Sequence, residues 1–97
     1  YFMESSFGIK VGRSHNVQQR LNQLRSIHND DIKLIHSIKH AGNFERRVHK
    51  YLKHQNIKDK SIGIEWFHKS NDVFEFVHNN KSLENLIDTF RIKRLVK

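Results

Sequence analysis

The sequence predicts an α+β fold, in which a small three-stranded, mainly antiparallel sheet is flanked by helices in the order ββαβα followed by two C-terminal helices. Two short apolar stretches separated by a turn stand at the start of the chain, and apolar residues recur at helical spacing in four later segments. The 97 residues fit a single domain, and a 36% apolar fraction that includes seven Phe can form a modest core.

The first part of the chain predicts a hairpin, a helix and a third strand. Residues 1–3 and 9–12 are extended, and the residues between them form a turn. Asn16 suits the N-cap of a helix, with a glutamine three residues on as in a capping box, and residues 29–31 end that helix. The apolar stretch 32–38 predicts a third, mostly buried strand.

The second part predicts three helices and one further extended segment. A helix starts at Gly42, and its apolar stripe consists of Phe44, Val48, Tyr51 and Leu52. Residues 62–67 follow as an extended segment that holds the only tryptophan. Ser70 and Ser82 suit the N-caps of the two last helices. The apolar residues of the third helix are Val73, Phe74 and Val77. The fourth helix, within residues 79–97, ends in the basic residues Arg91, Lys93, Arg94 and Lys97.

An excess of basic residues is the first indication of function. Eighteen Lys and Arg against ten Asp and Glu give a formal net charge of +8 and a pI near 10.1. Such an excess is self-repulsive unless a polyanion neutralises it, and nucleic acid is the usual partner. A basic protein that is merely soluble would have the same composition.

Missing residue types and patterns exclude several classes of protein. The chain has no cysteine, which excludes disulfide scaffolds, Cys-bearing zinc sites and thiol catalysis. No apolar run approaches the ~20 residues of a membrane helix and no signal-peptide pattern is present, so we expect an intracellular protein that is neither secreted nor membrane-bound. Because the chain opens inside a strand pattern, we expect it to be a fragment of a longer protein.

Two basic residues occupy positions that a purely structural role does not require. Arg20 falls at the edge of the apolar arc of the first predicted helix, where it must snorkel to solvent, pair with a buried acid or face an anionic ligand. Lys10 stands in a strand between Gly8 and Gly12, which leave space for a close approach to the sheet. A solvated strand lysine between two turn glycines would have the same pattern.

The second predicted helix carries one carboxylate at the edge of its apolar stripe. Glu45 lies there one turn before His49, while the outer face of the helix is basic. Hard cations such as Mg²⁺ prefer oxygen ligands and often need only one or two from the protein, so Glu45 is a candidate metal ligand. It would also complement the helix N-terminus without a metal, and two ligands are too few to predict a transition-metal site.

Five segments, in order along the chain, resemble the motifs of the GIY-YIG endonuclease superfamily, and in particular its viral and phage branch, whose second motif reads Lys-Ile-Gly. These segments are Tyr1 to Met3, Lys10 to Gly12, the run 13–21 that contains Arg20, the pairs Phe44 and Glu45 with Val48 and His49, and Glu65 to Phe67. The resemblance covers about residues 1–78. The ordered set is more specific than any single motif.

The resemblance implies metal-assisted hydrolysis of a DNA phosphodiester. It implies that Tyr1 deprotonates or positions the attacking water, that Arg20 holds the phosphate, and that Glu45 binds one Mg²⁺ or Mn²⁺. Lys10 would supply a second cation near the phosphate and lower the pKa of Tyr1. His49 would hydrogen-bond the water or the tyrosine.

Other residues are expected to bind DNA or to support this site. Basic side chains that would follow the DNA backbone, with little sequence preference, are Arg13, Arg25, Arg46, Arg47 and Lys50. Trp66 and Phe67 are expected in the core, with Glu65 either on their solvent side or as an acid behind the site. The resemblance also implies that sequence specificity comes from an attached DNA-binding domain outside these residues.

Two departures from the family pattern keep other functions open. Lys10 stands in place of the second tyrosine, as is normal for this branch, and Leu24 stands where many members carry a histidine. A DNA-binding module of the same fold that has lost cleavage is therefore the nearest alternative. A protein-interaction domain is the second.

Overall fold

A computed structural model describes the backbone of residues 1–59 and 61–95 and the side chains of residues 1–59 and 61–90. The strands are β1 (Phe2–Glu4), β2 (Ile9–Val11), β3 (Lys33–His36) and β4 (Trp66–Phe67), and the helices are α1 (Val17–His28), α2 (Glu45–Tyr51), α3 (Asn71–Asn79) and α4 (Leu83–Leu95). Short 3₁₀ turns at Gly42–Phe44 and Lys53–Gln55 flank α2. The predicted α+β class and the order of its elements are confirmed.

The sheet has four antiparallel strands in the order β3-β1-β2-β4, one more than the sequence predicts. The additional strand comes from the predicted extended segment 62–67, in which Trp66 pairs with Lys10 and Phe67 with Ile9. A turn connects β1 to β2, and in it the Ser5 hydroxyl accepts hydrogen bonds from the backbone N–H groups of Phe7 and Gly8. The β1–β2 hairpin therefore forms the middle of the sheet.

Each face of the sheet packs against helices because the strand side chains alternate between two cores. On one face the core consists of Phe2, Ile9, Val11, Val48, Leu52, Phe67, Val73, Phe76, Val77 and Leu86, which joins the sheet to α2, α3 and α4. On the other face it consists of Met3, Leu21, Leu24, Ile32 and Trp66, which joins the sheet to α1. The hairpin thus lies between α1 and α2, the two helices that carry the predicted site residues.

Side-chain caps begin three helices where the sequence predicts them. Asn16 accepts a hydrogen bond from the Gln19 backbone N–H (3.1 Å) at α1, and Ser70 accepts one from Val73 (3.3 Å) at α3. The Ser82 hydroxyl accepts the Asn85 N–H at 3.1 Å at the start of α4. Each cap supplies a partner for an N–H group that the first helical turn leaves unpaired.

The third strand differs from its prediction. It is shorter than the apolar stretch 32–38, and it is largely exposed, with Leu34 and Ile35 at 38% and 37%. β3 lies at one edge of the sheet, and in this stretch only Ile32, just before the strand, is fully buried.

Two aromatic residues predicted in the core are also more exposed than expected. Tyr51 of α2 and Phe74 of α3 lie at the surface, and Phe76 is buried in place of Phe74. Val73, Phe76 and Val77 follow the i, i+3, i+4 spacing of one helix face, from which Phe74 is turned away by about 100°.

No helix within the described ranges is long and apolar enough to cross a membrane. The basic stretch of Arg91, Lys93, Arg94 and Lys97 lies outside the described side chains.

Candidate functional site

A cleft of about 890 Å³ opens beside the ends of the central hairpin, between the start of α1, residues 37–43 and the start of α2. Its polar lining is formed by Tyr1, Arg13, Ser14, His15, Ser37, Lys39, His40, Asn43 and Glu45. Cationic and titratable basic groups outnumber the single acid there, so the cleft suits an anionic ligand. Tyr1 and Glu45, which are 44 positions apart in sequence, are brought to the same cavity.

Tyr1 takes its position from Gly12. The two backbones hydrogen-bond to each other in both directions, with N···O distances of 2.7 and 3.1 Å. A Cβ atom on Gly12 would lie 2.5 Å from the Tyr1 phenol oxygen, so the ring packs directly on the glycine. At Gly8 a Cβ would lie 2.8 Å from the Phe67 carbonyl oxygen. These glycines therefore allow the close approach to the sheet that the sequence predicts, and the groups that approach are the protein's own.

Gly12→Ala should consequently displace the Tyr1 ring from the cleft. If Tyr1 takes part in a reaction, we expect activity to fall by at least about tenfold while the unfolding free energy changes by roughly 1–3 kcal/mol, the usual cost of overpacking. Activity and thermal unfolding, measured together with Tyr1→Phe, check this expectation. Activity equal to that of the unsubstituted protein would contradict it.

Arg20 contacts Tyr1 rather than extending freely into solvent. Its guanidinium lies near enough to the Tyr1 phenol to act on the pKa of that group, and its Nη1 lies 3.4 Å from the Gln23 amide oxygen. Burial raises the pKa of the Tyr1 phenol above its ordinary value of 10.0, and Arg20 opposes that rise. The cation that lowers this pKa is Arg20, whereas Lys10, which the sequence predicts in that role, pairs with Glu65.

Lys10 is a buried ion-pair partner. Only 5% of the residue is exposed, and its Nζ lies 2.8 Å from Oε2 of Glu65 and 5.4 Å from the centre of the Trp66 ring. It faces the carboxylate rather than the cleft, and it balances the charge of Glu65. Trp66 and Phe67 are both in the core, as the sequence predicts.

Glu45 and Glu65 lie side by side, with one carboxylate oxygen of each within 4.8 Å of the other. Burial and the neighbouring Glu65 raise the pKa of Glu45, whose side chain is 17% exposed and lies 3.5 Å from Nε of Arg13. Burial also acts to raise the pKa of Glu65, but the hydrogen bond and charge of Lys10 outweigh it, and the net pKa is lowered. Glu45 therefore accepts a proton more readily than Glu65 does.

His49 adds a nitrogen donor to this pair of carboxylates. Its Nε2 lies 2.8 Å from the Val11 carbonyl oxygen, and because a carbonyl only accepts, Nε2 is the protonated nitrogen. In the neutral ring Nδ1 then carries the lone pair. One ligand atom each of Glu45, His49 and Glu65 lie within 4.8 Å of one another, which makes them the one three-ligand group found among the described residues.

The residues predicted to follow DNA have different surroundings. Arg46, Arg47 and Lys50 are exposed on α2, and Arg13 lines the cleft. Arg25 is half-buried, and its Nε donates a hydrogen bond to the Ile32 carbonyl at 2.8 Å, so one of its donors holds the connection between α1 and β3.

Sequence reasoning missed the basic wall formed by His15, Lys39 and His40, and it did not assign Glu65 to the same cluster as Glu45. The only sequence signal for Glu65 was its place before Trp66 and Phe67.

A comparison with known families gives one match. A family model described as the T5orf172 domain matches residues 1–91. No match was found among curated proteins or among solved structures. Because the match extends over both faces of the sheet and includes every residue of the candidate site, the chain belongs to the T5orf172 domain family.

Proposed function

We propose that this domain is a metal-dependent endonuclease that hydrolyses DNA phosphodiester bonds, with a site organised like that of the GIY-YIG superfamily. Tyr1 and Glu45 line one basic cleft, and Arg20 acts on the Tyr1 phenol; this juxtaposition carries the proposal. Membership of the T5orf172 family, a phage-derived domain associated with nucleases, supports a DNA-related role.

The chemistry of the donor groups fits a divalent cation. Glu45 lies in the lining of the cleft, and a second carboxylate, Glu65, lies beside it. A Mg²⁺ or Mn²⁺ ion held by Glu45 would act as a Lewis acid on the phosphate. Two neighbouring carboxylates repel each other when both are ionised, and a bound cation would relieve that repulsion.

The remaining roles belong to side chains of the protein. Water attacks phosphorus, the P–O bond to the leaving oxygen breaks, and the proton of the water passes to a base, for which Tyr1 is the candidate. Arg20 holds a phosphate oxygen and stabilises the charge that develops there. Lys10 contributes by fixing Glu65 instead of contacting the phosphate.

Nicking of supercoiled plasmid by the purified domain tests the proposal. We expect nicking with Mg²⁺ or Mn²⁺ and none with a chelator. The absence of nicking with either metal, together with DNA binding that weakens steeply as salt rises, would favour the binding module that has lost cleavage. If the domain does not bind DNA at any salt concentration, a protein-interaction domain would be favoured.

The pKa of Tyr1 gives the proposed reaction a pH dependence. Because burial raises this pKa above 10.0, the phenol is protonated at neutral pH, and the phenolate fraction rises about tenfold per pH unit up to that pKa. If the phenolate accepts the proton, the rate should rise with pH from 7 to 10, and Tyr1→Phe should remove this increase. An identical pH profile for both proteins would show that Tyr1 only positions the water.

A further inference from the structure

We propose that Glu45, His49 and Glu65 together form a three-residue site for a divalent transition-metal ion. The site would bind Mg²⁺ more weakly than it binds a transition-metal ion. The proposed nuclease function uses only Glu45 as a metal ligand, and this proposal adds two more. It rests on the nuclease function only for the role of the bound metal. Metal binding itself holds or fails independently of DNA cleavage.

The distances suit a single ion. The three donor atoms lie within 4.8 Å of one another. Ligand atoms at about 2.0–2.2 Å around one ion are separated by roughly 3–4.4 Å, so modest side-chain rotation brings all three into contact with the metal. Three protein ligands leave a coordination position for water or a phosphate oxygen, as in catalytic metal sites.

The hydrogen bond of His49 decides which of its ring nitrogens could bind a metal ion. The hydrogen bond from Nε2 to the Val11 carbonyl fixes the tautomer that leaves Nδ1 unprotonated, and the ring packs edge-on against Phe67 at a centroid distance of 5.3 Å. Metal-binding histidines are commonly held in this way, with the second ring nitrogen bonded to a carbonyl or carboxylate.

Glu65 is held by bonds on both sides of its backbone. The Asn56 amide donates to the carbonyls of Ile64 at 2.7 Å and Trp66 at 3.0 Å, and the Val11 N–H donates to the Glu65 carbonyl at 3.1 Å. Lys10 binds Oε2. The other carboxylate oxygen of Glu65, Oε1, is not the atom that pairs with Lys10, and we assign it as the metal ligand.

The mixed ligand set determines which metals the site prefers. Mg²⁺ takes oxygen ligands and keeps most of its water, whereas an imidazole nitrogen favours transition-metal ions, with affinity rising from Mn²⁺ to Co²⁺. The Lys10 ammonium beside Glu65 repels any cation that binds there, and so lowers the affinity of the site for metal ions. This loss matters most for Mg²⁺, because Mg²⁺ gains little from a histidine ligand.

Calorimetric titration of the DNA-free protein with MgCl₂, MnCl₂ and CoCl₂ tests the assignment. We expect one site per chain, with affinity increasing in that order and Co²⁺ bound at least about tenfold more tightly than Mg²⁺. His49→Gln should remove most of this difference between metals. Glu65→Gln should weaken Mn²⁺ and Co²⁺ binding by at least about tenfold.

Matched controls are His78→Gln and Glu84→Gln, which alter exposed side chains on α3 and α4. The visible absorption spectrum of bound Co²⁺ provides a second measurement. We expect His49→Gln to change this spectrum, while the thermal unfolding of the metal-free variant stays the same as that of the original protein. Equal affinities for the three metals, or unchanged Co²⁺ binding in either site variant, would overturn the three-residue site.

Cleavage distinguishes the two proposals. If the protein binds metal as described but does not nick plasmid, the three-residue site would be supported and the nuclease proposal would be rejected. Nicking that persists in His49→Gln and Glu65→Gln, with unchanged metal affinity, would leave the nuclease standing and remove this site.

Discussion

Replacement of Arg20 by alanine should reduce DNA cleavage by roughly 10³-fold while the domain stays folded. The guanidinium is the cation that lowers the pKa of the Tyr1 phenol, and a donor aimed at a developing phosphate charge contributes about 10²–10³-fold or more. The phenol is only partly buried, so water can take the place of the guanidinium beside it. We therefore expect the unfolding free energy to change by only about 1 kcal/mol.

Arg20→Lys is the matched control for this prediction. Lysine keeps the positive charge but cannot make the planar pair of hydrogen bonds that arginine makes to a phosphate. We expect partial activity, between that of Arg20→Ala and the original protein, in a time course of plasmid nicking. Normal cleavage by Arg20→Ala in the presence of metal would show that the assigned site is wrong.

Glu45→Ala should abolish cleavage and leave DNA binding intact. Loss of the metal ligand removes Lewis-acid stabilisation worth several kcal/mol, which corresponds to about 10³-fold in rate. The same change deletes a negative charge from the lining of a basic cleft, so affinity for DNA should stay the same or increase. Nicking and filter-binding measurements at one salt concentration separate the two effects.

Glu84→Ala provides the corresponding control, because Glu84 is an exposed acid in the first turn of α4. It should retain normal cleavage. If Glu45→Ala lost DNA binding as well, Glu45 would be holding Arg13 and the cleft wall in place, and its assignment as metal ligand would lose support.

The three capped helices and the central hairpin were predictable because their signals are local. Asn16, Ser70 and Ser82 each cap a backbone group three residues away, and alternation within β1 and β2 depends on adjacent residues. Exposure of β3 was not predictable, since an apolar strand at a sheet edge has the same composition as one at its centre.

The candidate site was predictable in part. The resemblance placed Tyr1, Arg20 and Glu45 in one set, and the structure brings Tyr1 and Glu45 to one cleft, with Arg20 near enough to Tyr1 to lower the pKa of its phenol. The surroundings of Lys10 were not predictable, because its partner Glu65 lies 55 residues away in sequence.

The sequence by itself determined the fold class, the helix starts, the strongly basic charge and the residues suited to phosphate and metal chemistry. Only the tertiary structure decided how those residues pair. The antiparallel pairing of β4 with β2 places Glu65 between Lys10 and Glu45, and so converts a lysine expected at the phosphate into an internal counter-ion. The periodicity of a sequence indicates which face of its own helix or strand a side chain occupies. Contacts between elements depend on strand order and register, and periodicity contains no information on either.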